Sequence, residues 1–165
     1  MINLDELNQI YESLLKDERI LKMKEIPMHR GSNCYIHSFK VAKRSLHKAM
    51  KSKKELNLKA LLYACVLHDY YLYDWRIDRS KKKHHGKNHP FIAAEQAKRD
   101  FDIDEFTQEL IISHMWPMNI KKFPKSKEAK ILAWTDNVIA TKEFFVSKAH
   151  KKKKEQEYLE YISHL

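Results

Sequence analysis

Leu61-Leu62-Tyr63-Ala64-Cys65-Val66-Leu67-His68-Asp69 is the stretch that decides how this chain reads: an apolar run that ends in an imidazole and a carboxylate. Asn57 is placed to cap a helix that carries the Leu-rich face into His68-Asp69. Neighbouring residues on a helix point about 100° apart, so one helix end presents both groups to adjoining points of one site. An ionised carboxylate after so apolar an approach costs on the order of several kcal/mol unless a cation or a polar partner compensates it. The pair stands among His37 upstream and His89, His114 and Asp136 downstream, each beside an apolar helical pattern. Six residues of ligand type distributed in this way point to a buried metal centre of the binuclear kind.

Working outward, the rest of the chain predicts an all-α protein. The only glycines are Gly31 and Gly86, and the prolines stand at 27, 90, 117 and 124, which leaves long stretches without breakers. The length of 165 residues suits a single domain with a real core. Asn3 caps a first helix with Leu4, Leu7, Ile10, Tyr11, Leu14 and Leu15 at helical spacing, and Ser32 is expected to cap a long helix through about Met50. From Tyr70 to Asn88 the chain is aromatic, then strongly basic, and reads as a long connection. Pro90 suits the first turn of a helix running to about Arg99. Asp104 to His114 reads as another helix, and Pro117 to Pro124 as a loop. Ser126 opens a helix through Ile139 with Leu132, Asp136 and Ile139 or Ala140 on one stripe, and a last helix or pair covers Thr141 to Leu165.

Cys34 and Cys65 lack metal-type spacing and are expected to be buried, reduced thiols. Met1 to Glu6 has neither a basic start nor an apolar export segment, and no apolar run approaches the ~20 residues that span a bilayer, so a cytoplasmic protein without membrane contact is expected. The net charge of +10 gathers at Lys81-Lys82-Lys83, around Lys121 to Lys130 and at Lys151 to Lys154. Such runs serve as solvated faces. They also raise the local concentration of a phosphate-rich ligand. Without interleaved aromatic-basic motifs, nucleic acid is a weaker expectation than a nucleotide.

Each of the six candidates has an ordinary reading as well. His37 lies one position from its apolar stripe, His89 precedes a helix where a capping role would suit it, and Asp136 is flanked by Trp134 and Val138. What favours a metal is that five helical segments each deliver a ligand-type residue to an apolar terminus or stripe. Imidazole nitrogen with carboxylate oxygen, and no cysteine, suits a pair of divalent ions, with Fe, Mn, Co or Ni ahead of Zn or Mg, and argues against structural zinc.

His37, His68-Asp69 and Asp136 match, in order and spacing, the H…HD…D signature, and in this the chain resembles the HD-domain metal-dependent phosphohydrolases. The resemblance runs from about His29 to Glu143, with helical extensions on either side. Tyr73-Asp74-Trp75, His85-Gly86, His89-Pro90 and His114-Met115-Trp116-Pro117 also look like segments of small bacterial HD-domain proteins. The resemblance implies an all-helical fold and, because His89 and His114 resemble the additional histidines of the binuclear subgroup, two divalent metal ions. By that resemblance His37, His68, Asp69 and Asp136 hold the first ion, and Asp69 bridges to a second held by His89 and His114. His68 and Asp69 are then the catalytic pair, and His85 is a substrate contact, a further ligand or a loop residue.

The expected activity is hydrolysis of a phosphoester or phosphoanhydride of a nucleotide or dinucleotide by a metal-bound hydroxide, with no serine or cysteine nucleophile. Arg30, Lys40, Arg44, Arg76 and Lys122 are candidates to neutralise substrate phosphate, and Trp75 and Trp116 (with Tyr71 and Tyr73) to stack on a base, although aromatics of this kind more often pack. Three other readings use the same ligands: a phosphomonoesterase, a di-iron oxygenase, and a non-catalytic metal-dependent binder of nucleotides or nucleic acid.

Overall fold

A computed structural model describes residues 2–28, 32–74, 76–77, 85–145 and 151–165, the last of these with backbone only for 151–154. Arg30, Trp75 and Lys81 to Lys83 lie outside the described residues, as do the side chains of Lys151 to Lys154.

The described residues form eight α-helices and no strand: α1 (Leu4–Lys16), α2 (Glu18–Leu21) followed by a 3-10 turn (Lys22–Glu25), α3 (Cys34–Met50), α4 (Leu58–Leu67), α5 (His85–Phe101), α6 (Glu105–Ser113), α7 (Lys127–Phe144) and α8 (Lys151–Ile162). The all-α expectation holds. Short polar side chains start the helices by accepting free backbone N–H groups: Asn3 from Glu6 at 2.7 Å, Asn57 from Ala60 at 3.0 Å, Asp104 from Thr107 at 2.7 Å and Ser126 from Ala129 at 3.0 Å.

α4 is apolar nearly all round, so it is stable only at the centre of the fold. Leu61, Leu62, Val66 and Leu67 are fully buried, each worth about 1.5–3 kcal/mol relative to exposure. It packs against α3, α6 and α7, while α5 lies along α6. α3 presents Ile36, Phe39, Val41, Ala42 and Leu46 to the same core, and α1 covers it with Leu7, Tyr11 and Leu14. The Tyr11 hydroxyl donates to the Ile162 carbonyl at 2.9 Å and so ties α1 to α8. Cys34 and Cys65 are buried and free. Among the described residues no helix is long and apolar enough to cross a membrane.

Three helix boundaries differ from those expected. Asn33, not Ser32, caps α3, accepting from the Ile36 N–H at 2.9 Å. α5 begins at His85, so Pro90 and His89 lie inside it. A proline in the second turn removes one backbone bond, and burial of His89 and Pro90 holds that turn in place. The connection after α4 is correspondingly shorter than the span 70–88. α7 continues past Ile139 to Phe144, because Ala140 to Phe144 contains no breaker, and α8 alone follows it among the described residues.

Candidate metal centre

Five helices bring the six ligand-type residues together. His37 lies in the first turn of α3, His89 in α5 and Asp136 midway along α7. His68 is the C-cap of α4 with Asp69 next to it, and His114 is the C-cap of α6. All six are buried; Asp136, the most accessible, is 8% exposed. Three overlapping groups of them, His37–His68–Asp69, His68–His114–Asp136 and Asp69–His89–His114, each place their ligand atoms within 4.8 Å of one another.

Local hydrogen bonds explain how the rings are aimed. The helix ends leave carbonyls without intrahelical donors, and His68 and His114 use them: His68 Nδ1 donates to the Cys65 carbonyl at 2.8 Å and His114 Nδ1 to the Ile111 carbonyl at 2.7 Å. His89 Nδ1 donates to the His85 carbonyl at 2.9 Å. With Nδ1 committed to a carbonyl, Nε2 is the ring atom that each turns inward. His37 is held differently, with Nδ1 donating to Glu143 Oε2 at 2.9 Å and Nε2 2.9 Å from Asp136 Oδ1.

The inward atoms lie close together. His89 Nε2 and His114 Nε2 are 3.1 Å apart. Asp69 Oδ1 lies 3.3 Å from His89 Nε2 and 4.0 Å from His114 Nε2, while its Oδ2 lies 3.3 Å from His68 Nε2. Asp136 Oδ1 is 3.6 Å from His68 Nε2. With both rings neutral and protonated at Nδ1, the His89 and His114 lone pairs face each other at 3.1 Å and repel, and buried His68 Nε2, 3.3 Å from Asp69 Oδ2, makes no well-aligned hydrogen bond. Both defects vanish if a cation sits between these atoms, so the donor set fits divalent metal ions.

Electrostatics agree. Burial alone would push His37 down, but the Glu143 and Asp136 carboxylates outweigh it and raise the ring to about 9. Burial likewise opposes protonation of His68, yet Asp69 and Asp136 raise it well above the usual imidazole value. These carboxylates draw positive charge to the place that an ion would take. Burial, with His68 and His89 nearby, pushes His114 down to about 3. Asp69 and Asp136, which burial would raise, are held below the usual carboxylate range by the surrounding histidines.

The other expected site residues take varied places. Lys40 is paired with Glu143 at 2.6 Å, behind His37 rather than in front of it. Arg44 is exposed further along α3, and Arg76 is exposed and paired with Asp74 at 2.9 Å. His85 is half-buried, with the Tyr73 hydroxyl 3.0 Å from its Nδ1 and its ring stacked on His89 at 4.7 Å; burial, then His89, lowers it to about 4. Trp116 is partly exposed, edge-on to Phe123 at 5.5 Å, and Lys122 lies over the Phe91 ring at 5.3 Å. An open cleft of about 500 Å³ is lined by Lys121, Lys122 and Phe123 with Glu105 and Glu109, and none of the six ligand-type residues lines it. Tyr71 is a core residue, 1% exposed.

Sequence reasoning did not single out Glu143. It lies seven positions after Asp136, two turns along the same face of α7, and that spacing is the signal that would have found it. Burial raises its carboxyl, but His37 and Lys40 together hold it down at about 2.

A protein-family model described as HD domain matches residues 34–141. No curated protein and no solved structure shows significant similarity to the chain.

Proposed function

This chain belongs to the HD-domain family, within the metal-dependent phosphohydrolase superfamily, and from that membership we propose that it hydrolyses a phosphoester or phosphoanhydride of a nucleotide or dinucleotide at a centre of two divalent cations. The observation that supports this most is the division of Asp69. One oxygen faces His89 and His114 and the other faces His68, the disposition of a carboxylate shared between two ions. His37, His68 and Asp136 complete one side, and His89 and His114 the other. When bound, such ions make a nucleophile of water at neutral pH and polarise a phosphoryl oxygen.

The chain's own groups do the remaining work. The Nδ1 hydrogen bonds hold each ring with Nε2 turned inward, so no ring must reorient when an ion arrives. Neither cysteine is a rival nucleophile, since burial pushes the Cys65 thiol up to about 12 and Cys34 well above its usual value. His85 stacks on His89 and is neutral at physiological pH, which suits a hydrogen-bonding contact to substrate better than a charged one. Arg44, Arg76, Trp116 and Lys122 are the exposed candidates for phosphate and base contacts among the described residues.

Metal analysis of the purified protein, combined with a phosphate-release and nucleotide-product screen under Mn, Fe, Co, Ni and Mg, tests this reading. About two ions per chain and turnover of a nucleotide are expected. Release of inorganic phosphate alone would favour a monoesterase. Consumption of O₂ by the iron-loaded protein would favour an oxygenase. Full metal occupancy with no turnover of any nucleotide would overturn the hydrolase reading.

A further inference from the structure

We propose that Glu143, held by Lys40, is the positioning residue of His37, an outer support that makes one half of the metal centre stronger than imidazole alone would. The inference rests on the metal reading above and goes beyond it. Three of the four inward-facing imidazoles give their Nδ1 proton to a backbone carbonyl, whereas His37 gives it to a carboxylate at 2.9 Å. A carboxylate accepts more strongly than an amide carbonyl, and through the ring it makes Nε2 a better donor to a cation.

The surroundings are built for that task. Glu143 is fully buried, which for an anion requires compensation. Its two oxygens are divided between neighbours on one face of α3: Oε2 takes the His37 proton, and Oε1 takes the Lys40 ammonium at 2.6 Å. His37 and Lys40 are three positions apart, so a single helical turn presents both groups to the carboxylate. Lys40 in turn lies over the Tyr158 ring at 3.4 Å, which connects the support to α8. Glu143 lies near the end of α7, two positions beyond the segment matched by the family model, and its partner Lys40 reaches the C-terminal helix through Tyr158.

A merely structural ion pair between α3 and α7 would make a different prediction. Stepwise binding of Zn²⁺, followed by competition with a chromophoric chelator, separates the two roles. Glu143→Gln keeps the volume and a hydrogen-bond acceptor but removes the charge. One ion is expected to weaken by about 10–100-fold, the range for losing an outer partner of a ligand histidine, while the ion held by His89 and His114 keeps its affinity. Equal affinities at both positions, or parallel weakening of both that follows a loss of thermal stability, would overturn the positioning role. Wild type that binds no Zn²⁺ would overturn the metal reading itself, and this inference with it.

A second measurement needs no variant. In Zn²⁺-loaded wild type, the His37 Nδ1 proton should resonate downfield of those of His68, His89 and His114, because its acceptor is the stronger one. A shift indistinguishable from the other three would overturn the proposal.

Discussion

The two oxygens of Asp69 face different histidines, so truncating this side chain takes a ligand from both halves of the proposed centre at once. Asp69→Ala is expected to lose both ions and nearly all turnover, and a folded variant with normal metal content by mass spectrometry would refute the shared role. His89→Ala and His114→Ala are expected to reduce stoichiometry toward one ion per chain, with His37→Ala striking the other position. The buried charges predict a pH effect in the metal-free protein. His37 is raised from 6.5 to about 9, so its stabilisation is full below about 6.5 and is lost as pH rises through 9. Glu143 is lowered from 4.5 to about 2, so its own is present above 4.5 and lost as pH falls toward 2. His114 works in the opposite sense below 6.5, because the unfolded ring takes a proton that the buried one refuses. Comparing wild type with Glu143→Gln in chelator cancels that common background. The gap in melting temperature should be widest between about pH 4.5 and 6.5 and should shrink toward pH 9; a constant gap would contradict the pairing of His37 with Glu143.

At the scale of elements, α3 carries both His37 and its Lys40 neighbour, and the start of this helix sets where they point. Asn33 accepts from the Ile36 N–H, and the Asn33 carbonyl accepts from the His37 N–H at 2.9 Å. Asn33→Ala should cost about 1 kcal/mol in denaturant unfolding, the usual value of such a cap, whereas Ser32→Ala should change little. The reverse ranking would return the cap to Ser32. Adjacent Ser and Asn are near-equal caps, and only the backbone geometry at the 27–33 bridge decides between them, which is why sequence favoured the wrong one. Asn3, Asn57 and Ser126 had no such rival and were legible. The ligand types at 37, 68, 69, 89, 114 and 136 were legible too, since charged or polar groups ending apolar runs need a reason. Their meeting was not, because it depends on pairings such as His37 with Asp136, 99 positions apart. Nor were the Nδ1 bonds to carbonyls, which exist only once each helix has ended where it does. Glu143 escaped because α7 was expected to stop at Ile139, one turn short of it.

For the whole molecule, a net charge of +10 surrounds a centre whose own carboxylates are enclosed. Steering by exposed charge is screened over roughly 8 Å at physiological ionic strength. Raising salt should therefore lower kcat/KM for a phosphate-rich substrate more than kcat, and replacing Lys81, Lys82 and Lys83 should flatten that dependence more than replacing Lys151 to Lys154. Identical effects from the two sets would leave these lysines as a solvated face. The sourcing of the six side chains has a different consequence. They come from α3, the ends of α4 and α6, α5 and α7, segments that ordinary packing must otherwise gather from across most of the chain. Ions held between them act as cross-links, and their binding energy becomes folding energy. Scarcity of the metal would then register first as a shorter lifetime of the folded protein, before any slowing of its chemistry.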